Sequence, residues 1–205
     1  MITMPSTIST AARRYAAALR TLLVFTVILG VVYPLTVTAI GQLAFSRTAD
    51  GSIVTADGRA VGSSLIGQSF TDADGAPLPE WFQPRPSAAG DGYDPTSTSA
   101  SNLGPNNEDL LAAVVERRAA ASALDGTPES EVTADALTAS GSGLDPHISP
   151  EYAYQQVDRV AKARQLPADE VRAIVDDQVQ GRILGILGEE RVNVLELNLA
   201  LDQRD

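Results

Sequence analysis

A single histidine, His147, and the absence of cysteine narrow the chemistry this chain can carry out. Thiolate nucleophiles, disulfides and zinc–thiolate sites are excluded, although the compartment stays open because many exported domains also lack cysteine. His147 lies in the run Leu137-Thr138-Ala139-Ser140-Gly141-Ser142-Gly143-Leu144-Asp145-Pro146-His147-Ile148-Ser149-Pro150. Ser142, Asp145 and His147 are the three residue types of a hydrolase triad: nucleophile, orienting acid and base. A nucleophile elbow requires Gly-x-Ser-x-Gly, and Ser140 stands where the first glycine belongs. Triad members this close along a chain are also hard to converge on one point. The other reading makes Ser140 to Gly143 a tight loop permitted by glycine, with Asp145 and Pro146 shaping a turn into a following helix. His147 then bonds a backbone group.

Two further patterns fail on inspection. Asp72-Ala73-Asp74-Gly75 suggests a calcium loop, but the sixth position, which must be glycine, is Pro77. No Gly-x-x-x-x-Gly-Lys-Ser/Thr pattern occurs, so the chain is not a P-loop ATPase by itself.

The elements around the loop are marked by their start and stop signals. Asn106 or Asn107 can cap a helix with Glu108 and Asp109 in its first turn, and Leu111, Val114, Val115 and Arg118 recur at helical spacing. That helix ends before Gly126 and Pro128. Ser149 caps a second helix with Pro150 first and Glu151 next, and Ala153, Val157, Val160 and Ala161 form its core stripe. Pro167 opens a third, with Val171, Ile174, Val175 and Val179 inward and Gly181 as its stop. Leu195, Leu197, Leu199 and Leu201 alternate as in a half-buried strand, while Asn193 could equally cap a short helix. Residues 47–105 hold most of the glycine and proline, with short apolar runs at Ile53-Val54 and Ser64-Leu65-Ile66, and read as short strands joined by turns and loops. With no repeat and no long linker, the expected architecture is a small α+β domain.

Upstream, Thr21 to Ser46 contains no charged residue over 26 positions. As a helix this stretch is roughly 39 Å long against a hydrocarbon core of about 30 Å, so it can span with tilt to spare. Pro34 frees a backbone carbonyl that a neighbouring helix, the Thr36 or Thr38 hydroxyl, or water must satisfy; a packed partner helix and a simple kink in a lone anchor both fit. A cleaved signal peptide is the alternative, with Arg13 and Arg14 as its basic flank and Val37-Thr38-Ala39 as the cleavage site. The apolar run continues through Ile40, Leu43, Ala44 and Phe45, too long for a typical signal, and favours the uncleaved anchor. Arg13, Arg14 and Arg20 precede the span and only Arg47 lies just beyond it, which predicts a cytoplasmic segment at 1–20, a transmembrane helix at 21–46 and an extracytoplasmic domain at 47–205.

All 26 acidic residues follow Phe45, together with 12 of the 15 basic ones, giving the downstream part a net charge of −14. Such a surface repels nucleic acid and anionic lipid, and serves solubility.

Several stretches together resemble the C subunit family of the Kdp potassium-transporting ATPase. They are Tyr33-Pro34-Leu35, Gly62-Ser63-Ser64-Leu65-Ile66-Gly67-Gln68, Trp81-Phe82-Gln83-Pro84-Arg85-Pro86-Ser87-Ala88, Ser101-Asn102-Leu103-Gly104-Pro105, the long run Thr138 to Pro150, Arg159-Val160-Ala161, and Val192-Asn193-Val194-Leu195-Glu196-Leu197-Asn198-Leu199-Ala200-Leu201. Order and coverage hold from the membrane span to the C-terminus. Asn106 stands where the family often has threonine, and Trp81 replaces the usual tyrosine.

The resemblance implies a non-catalytic subunit of a potassium-importing P-type ATPase in the cell membrane, partnered by a channel-like potassium-binding subunit and an ATP-hydrolysing subunit. It further implies a catalytic chaperone that raises the ATP affinity of the hydrolytic subunit, with the loop Ser140, Gly141, Ser142, Gly143, together with Asp145 and His147, associated with partner or nucleotide. ATP and potassium are then expected at the level of the complex, with no cofactor or metal bound by this chain. ATP is cytoplasmic and the loop is expected outside, so the ATP effect is expected to be indirect, or the domain caps the potassium entrance. A membrane-tethered exported hydrolase and a binding module are the competing classes.

Overall fold

The computed structural model describes residues 7–204, so the first six residues of the expected cytoplasmic segment lie outside the described residues. The chain divides into two compact units that meet between Ser52 and Ile53.

The first unit is one long helix with a local defect: α1 Thr7–Val27, a π-helical turn Ile28–Val32, and α2 Tyr33–Ala44. The stretch Thr10–Ala44, 35 residues, is long and apolar enough to cross a membrane. The π turn falls just ahead of Pro34, whose missing N–H and bulky ring disfavour a regular turn there. Tyr33 N–H reaches back to the Ile28 carbonyl, and the Thr36 hydroxyl donates to the Val32 carbonyl at 2.8 Å, one of the two hydroxyls expected near the proline. The helix also starts earlier than the charge-free stretch and carries Arg13, Arg14 and Arg20 within α1. It stops at Phe45, where φ is −142°, and a short helix α3, Ser46–Ala49, follows, with Gln42 Nε2 donating to Asp50 at 2.9 Å across the break.

The second unit is α+β. It begins with an antiparallel hairpin, β1 Ile53–Ala56 and β2 Arg59–Ser63, closed by Asp57 and Gly58 at φ 50° and 74°. Positive φ at both turn residues is the geometry that follows the twist of paired strands. The apolar run at Ile53-Val54 falls in β1, whereas Ser64 to Ile66 is a turn after β2. A long segment without helices follows, then α4 Glu108–Asp125, α5 Ala134–Leu137, β3 His147–Ile148, α6 Pro150–Arg164, α7 Ala168–Gln178, β4 Val179–Gln180, β5 Arg191–Asn193 and α8 Val194–Asp202. The three short strands form one antiparallel sheet in the order β3-β5-β4.

The capping signals act as expected. Asn107 Oδ1 accepts from Asp109 N–H at 2.7 Å, Ser149 Oγ from Tyr152 N–H at 3.0 Å, and Asn193 Oδ1 from Glu196 N–H at 3.2 Å. The last of these resolves the C-terminal run into a two-part element, a strand to Asn193 and then a helix. Two expectations change. Helix α7 stops at Gln178 instead of Gly181, because Val179 and Gln180 leave it to pair with Val192 and Arg191. The face of α4 is rotated: Leu111 and Val115 point to solvent, and the half-buried side carries Val114, Arg117 and Ala121.

The core gathers Ala153, Val157 and Val160 of α6, Val171 and Val175 of α7, Val192 of β5 and Leu197 and Leu201 of α8 around Phe82, which is fully buried. Phe82 belongs to no strand. Its backbone is instead held by side-chain amides: Phe82 N–H donates to Asn198 Oδ1 at 2.9 Å, and Asn198 Nδ2 donates to the Phe82 carbonyl at 3.0 Å. Gln156 repeats the arrangement on Gln83, accepting at 2.6 Å and donating at 3.1 Å. Buried backbone groups must find partners, and these two amides substitute for a strand ladder.

Arg159 completes this framework. Its guanidinium bonds Asp125 at 2.8 Å, the carbonyls of Pro79 and Trp81 at 2.6 and 2.9 Å, and Gln156 at 2.6 Å. A buried charge is tolerated when it is paired and its donors are satisfied, as here. Arg164 stacks over Trp81 with 4.2 Å to the ring centre, a role an aromatic ring at that position can serve.

Candidate functional site

The loop from Ser140 to His147 sits where four separate segments converge. Ser140 N–H donates to the Pro86 carbonyl at 3.1 Å, and the Gly143 carbonyl accepts from the Ser87 hydroxyl at 2.6 Å. The Ser142 carbonyl accepts from the Thr98 hydroxyl at 2.7 Å and from Ser99 N–H at 3.1 Å. Gly67 N–H donates to the Leu144 carbonyl at 2.9 Å, and Val194 N–H to the Pro146 carbonyl at 2.9 Å. The segments around Gly67, Arg85, Ser142 and Val194 are far apart in sequence and meet here as one rigid assembly.

Within the loop the hydroxyls are internal acceptors. Ser140 Oγ, buried, receives the N–H groups of Ser142, Gly143 and Asp145 at 3.3, 3.1 and 3.4 Å, and Ser142 Oγ receives that of Leu144 at 3.1 Å. A phosphate-binding loop turns such N–H groups outward to an anion. Here they close on the loop's own side chains.

Glycine is required at one of the two positions. Gly143 has φ +73°, and a Cβ there would lie 2.7 Å from both Ala89 Cβ and the Ser99 carbonyl oxygen. Gly141 has no positive φ, and a Cβ there would meet nothing within 4 Å.

Asp145 is the electrostatic centre. Its carboxylate accepts His147 N–H at 3.0 Å, faces His147 Nδ1 at 3.2 Å, and pairs with Arg85 at 3.4 Å. Burial pushes its pKa up, but the hydrogen bonds from His147 and the positive charges of His147 and Arg85 outweigh that and hold the carboxyl below the usual range. The imidazole therefore bonds a carboxylate and not, as expected, a backbone group. The same Asp145 oxygen that accepts the His147 N–H lies within reach of Nδ1 of that residue, which draws the ring to the carboxylate. The Tyr93 hydroxyl, raised by burial and by Asp145, donates to the Arg85 carbonyl at 2.9 Å and braces the same corner.

A cleft of about 720 Å³ opens beside Asp145 and His147, with Arg85, Asp135, Glu190 and Arg191 among its lining residues. Its lining carries charges of both signs. The Asp145–His147 half of a triad is formed, with Nδ1 facing the carboxylate, but the Ser142 hydroxyl pairs with Ser140 Oγ at 3.2 Å and makes no hydrogen bond to His147 among the described residues, so no relay reaches the serine. Arg85, Tyr93 and Gly67 were not legible as site residues from their own spacing. Arg85 and Gly67 do lie in the short runs Trp81 to Ala88 and Gly62 to Gln68, the only signal that could have found them.

The class defined is a helix long and apolar enough to cross a membrane followed by a small α+β domain, whose most distinctive loop is closed by its own side chains. The family described as KdpC, K+-transporting ATPase, c chain, matches residues 15–203. A "Potassium-transporting ATPase KdpC subunit" of Kineococcus radiotolerans is 60% identical over 189 residues, covering 92% of this chain and 93% of the relative. Proteins of the same name from Mycobacterium bovis and Caulobacter vibrioides are each 52% identical, over 93% and 88% of this chain and 98% and 88% of their own lengths. This chain belongs to the KdpC family of potassium-transporting ATPase subunits.

Proposed function

We propose that the chain is the non-catalytic subunit of an ATP-driven potassium import complex, working beside a channel-like potassium-binding subunit and an ATP-hydrolysing subunit. The helix ending at Ala44 anchors it in the cell membrane with its N-terminus in the cytoplasm, and the domain that follows lies outside. The family match begins at residue 15 and so includes the apolar stretch, which supports a retained anchor over a cleaved signal.

The observation that carries the non-catalytic reading is the closed loop. With Ser140 and Ser142 hydroxyls accepting the loop's own N–H groups, the segment is built as a rigid shape for a partner to contact, not as a cradle for a nucleotide. Any rise in the ATP affinity of the hydrolytic subunit then comes through partner contacts and helix packing in the membrane, and Ser140, Gly141, Ser142, Gly143, Asp145 and His147 serve as a docking element. Potassium and ATP belong to the complex and not to this chain. The experiment is to measure the ATP dependence of the assembled complex with and without the substitution His147→Ala. A changed apparent affinity with unchanged assembly supports an indirect role, whereas substrate turnover by this chain alone, abolished by the same substitution, would make it a hydrolase.

A further inference from the structure

Residues 181–190 form the tip between β4 and β5, and all ten are exposed. Four large aliphatic side chains stand there within five residues: Ile183, Leu184, Ile186 and Leu187 are 57%, 86%, 76% and 55% exposed. Scattered exposed apolar residues are ordinary, but a contiguous apolar tip on an otherwise strongly acidic domain is not.

The tip is ordered by its own backbone. Ile183 and Leu187 exchange two hydrogen bonds, at 2.9 and 3.0 Å, and Gly185 N–H bonds the Arg182 carbonyl at 3.0 Å. Gly185 and Gly188 take φ +77°, the region that suits glycine, yet Leu184 between them and Ile183 also adopts a left-handed φ of 55°. A leucine held there is strained, because its Cβ crowds the following carbonyl oxygen. The strain displays the most exposed side chain of the tip in a fixed direction, and a pre-shaped apolar projection loses little freedom on docking.

We propose that this tip is an anchor that inserts into an apolar cleft on a protein partner in the membrane complex. The proposal rests on the reading of the chain as a complex subunit and adds which surface docks. Charge selects protein over lipid. Arg182 before the aliphatic group and Glu189, Glu190 and Arg191 after it balance one another, while the net negative charge of the domain as a whole opposes approach to an anionic bilayer. Continuity selects the same face as the Ser140 to His147 loop, because Glu189, Glu190 and Arg191 at the base of the tip line the cleft beside Asp145 and His147.

The test uses the full chain produced with its neighbouring subunits in native membranes. A photo-crosslinking side chain in place of Ile186 is expected to form adducts with a protein subunit. Leu184→Gly, which relieves the backbone strain and removes the side chain, is expected to leave the thermal stability of the chain equal or higher while lowering recovered partner subunits at least about tenfold. Adducts with lipid alone, no adducts, or full partner recovery by Leu184→Gly while the unsubstituted chain co-purifies normally would overturn the docking proposal. Failure of the unsubstituted chain to bring down any partner would overturn the subunit reading itself, and the docking proposal with it.

Discussion

Asn198 holds Phe82 by both of its backbone groups, accepting from the N–H at 2.9 Å and donating to the carbonyl at 3.0 Å across 116 positions of sequence. A fully buried aromatic ring is thereby fixed in a segment with no strand partner, and the α8 helix is tied to the segment that continues through Arg85 into the candidate site.

Asn198→Ala leaves a buried donor and a buried acceptor on Phe82 without partners. Unmade buried bonds of this kind destabilise by about 1–3 kcal/mol each, so a loss of roughly 2–6 kcal/mol is expected. Thermal unfolding of the purified full chain in detergent checks it. A midpoint unchanged from the unsubstituted protein would mean that the amide clamp is dispensable.

The two glycines of the loop separate conformational need from simple smallness. Gly143→Ala meets a left-handed backbone and two atoms at 2.7 Å, and is expected to destabilise by at least about 2 kcal/mol. Gly141→Ala meets open space and is expected to stay within about 0.5 kcal/mol. Comparing the unfolding midpoints of the two variants decides the matter.

Two helices were legible in the sequence because each carries its own cap, Asn107 and Ser149, acting within three residues of itself; Asn193 caps α8 in the same way, but there the sequence left strand and helix open. The buried stripes of α6 and α7 followed from periodicity, with Val171 and Val175 as the plainest case. The face of α4 did not follow, since an alanine-rich helix with no fully buried residue leaves Leu111 and Val115 as misleading markers. Strand β2, Arg-Ala-Val-Gly-Ser, has too little apolar character to announce itself, and only the Asp57-Gly58 turn marks it. The alternating leucines of α8 fit either period because Val194, Leu195, Leu197 and Leu201 are all buried on a helix enclosed on most sides. The candidate site was legible as a loop but not as a junction. Contacts such as Gly67 to Leu144 and Arg85 to Asp145 join residues that no local pattern relates.

Acid sensitivity should depend on Asp145. Its folded pKa is depressed, so its contribution is fully present above the ordinary carboxylate value of about 4 and is lost as pH falls through the lower folded value. Asp145→Asn removes that titration, and the decline of the unfolding midpoint below about pH 4 is expected to become shallower. An unchanged acid limb would show that the pairing with Arg85 and His147 contributes nothing measurable.

Topology can be read from one engineered thiol, because the chain has no cysteine of its own. Ser142 is exposed, and Ser142→Cys in intact cells is expected to react with a membrane-impermeant thiol reagent added outside. Protection in intact cells combined with reaction after permeabilisation would place the loop in the cytoplasm and reopen direct contact with nucleotide.

The most direct measurement is gentle detergent extraction of the tagged full-length chain from its native membrane, with mass spectrometry of the proteins that accompany it. A channel-like potassium subunit and a P-type ATPase subunit are expected in stable amounts with the chain. Recovery of the chain alone from a membrane that contains both would contradict its reading as a complex subunit.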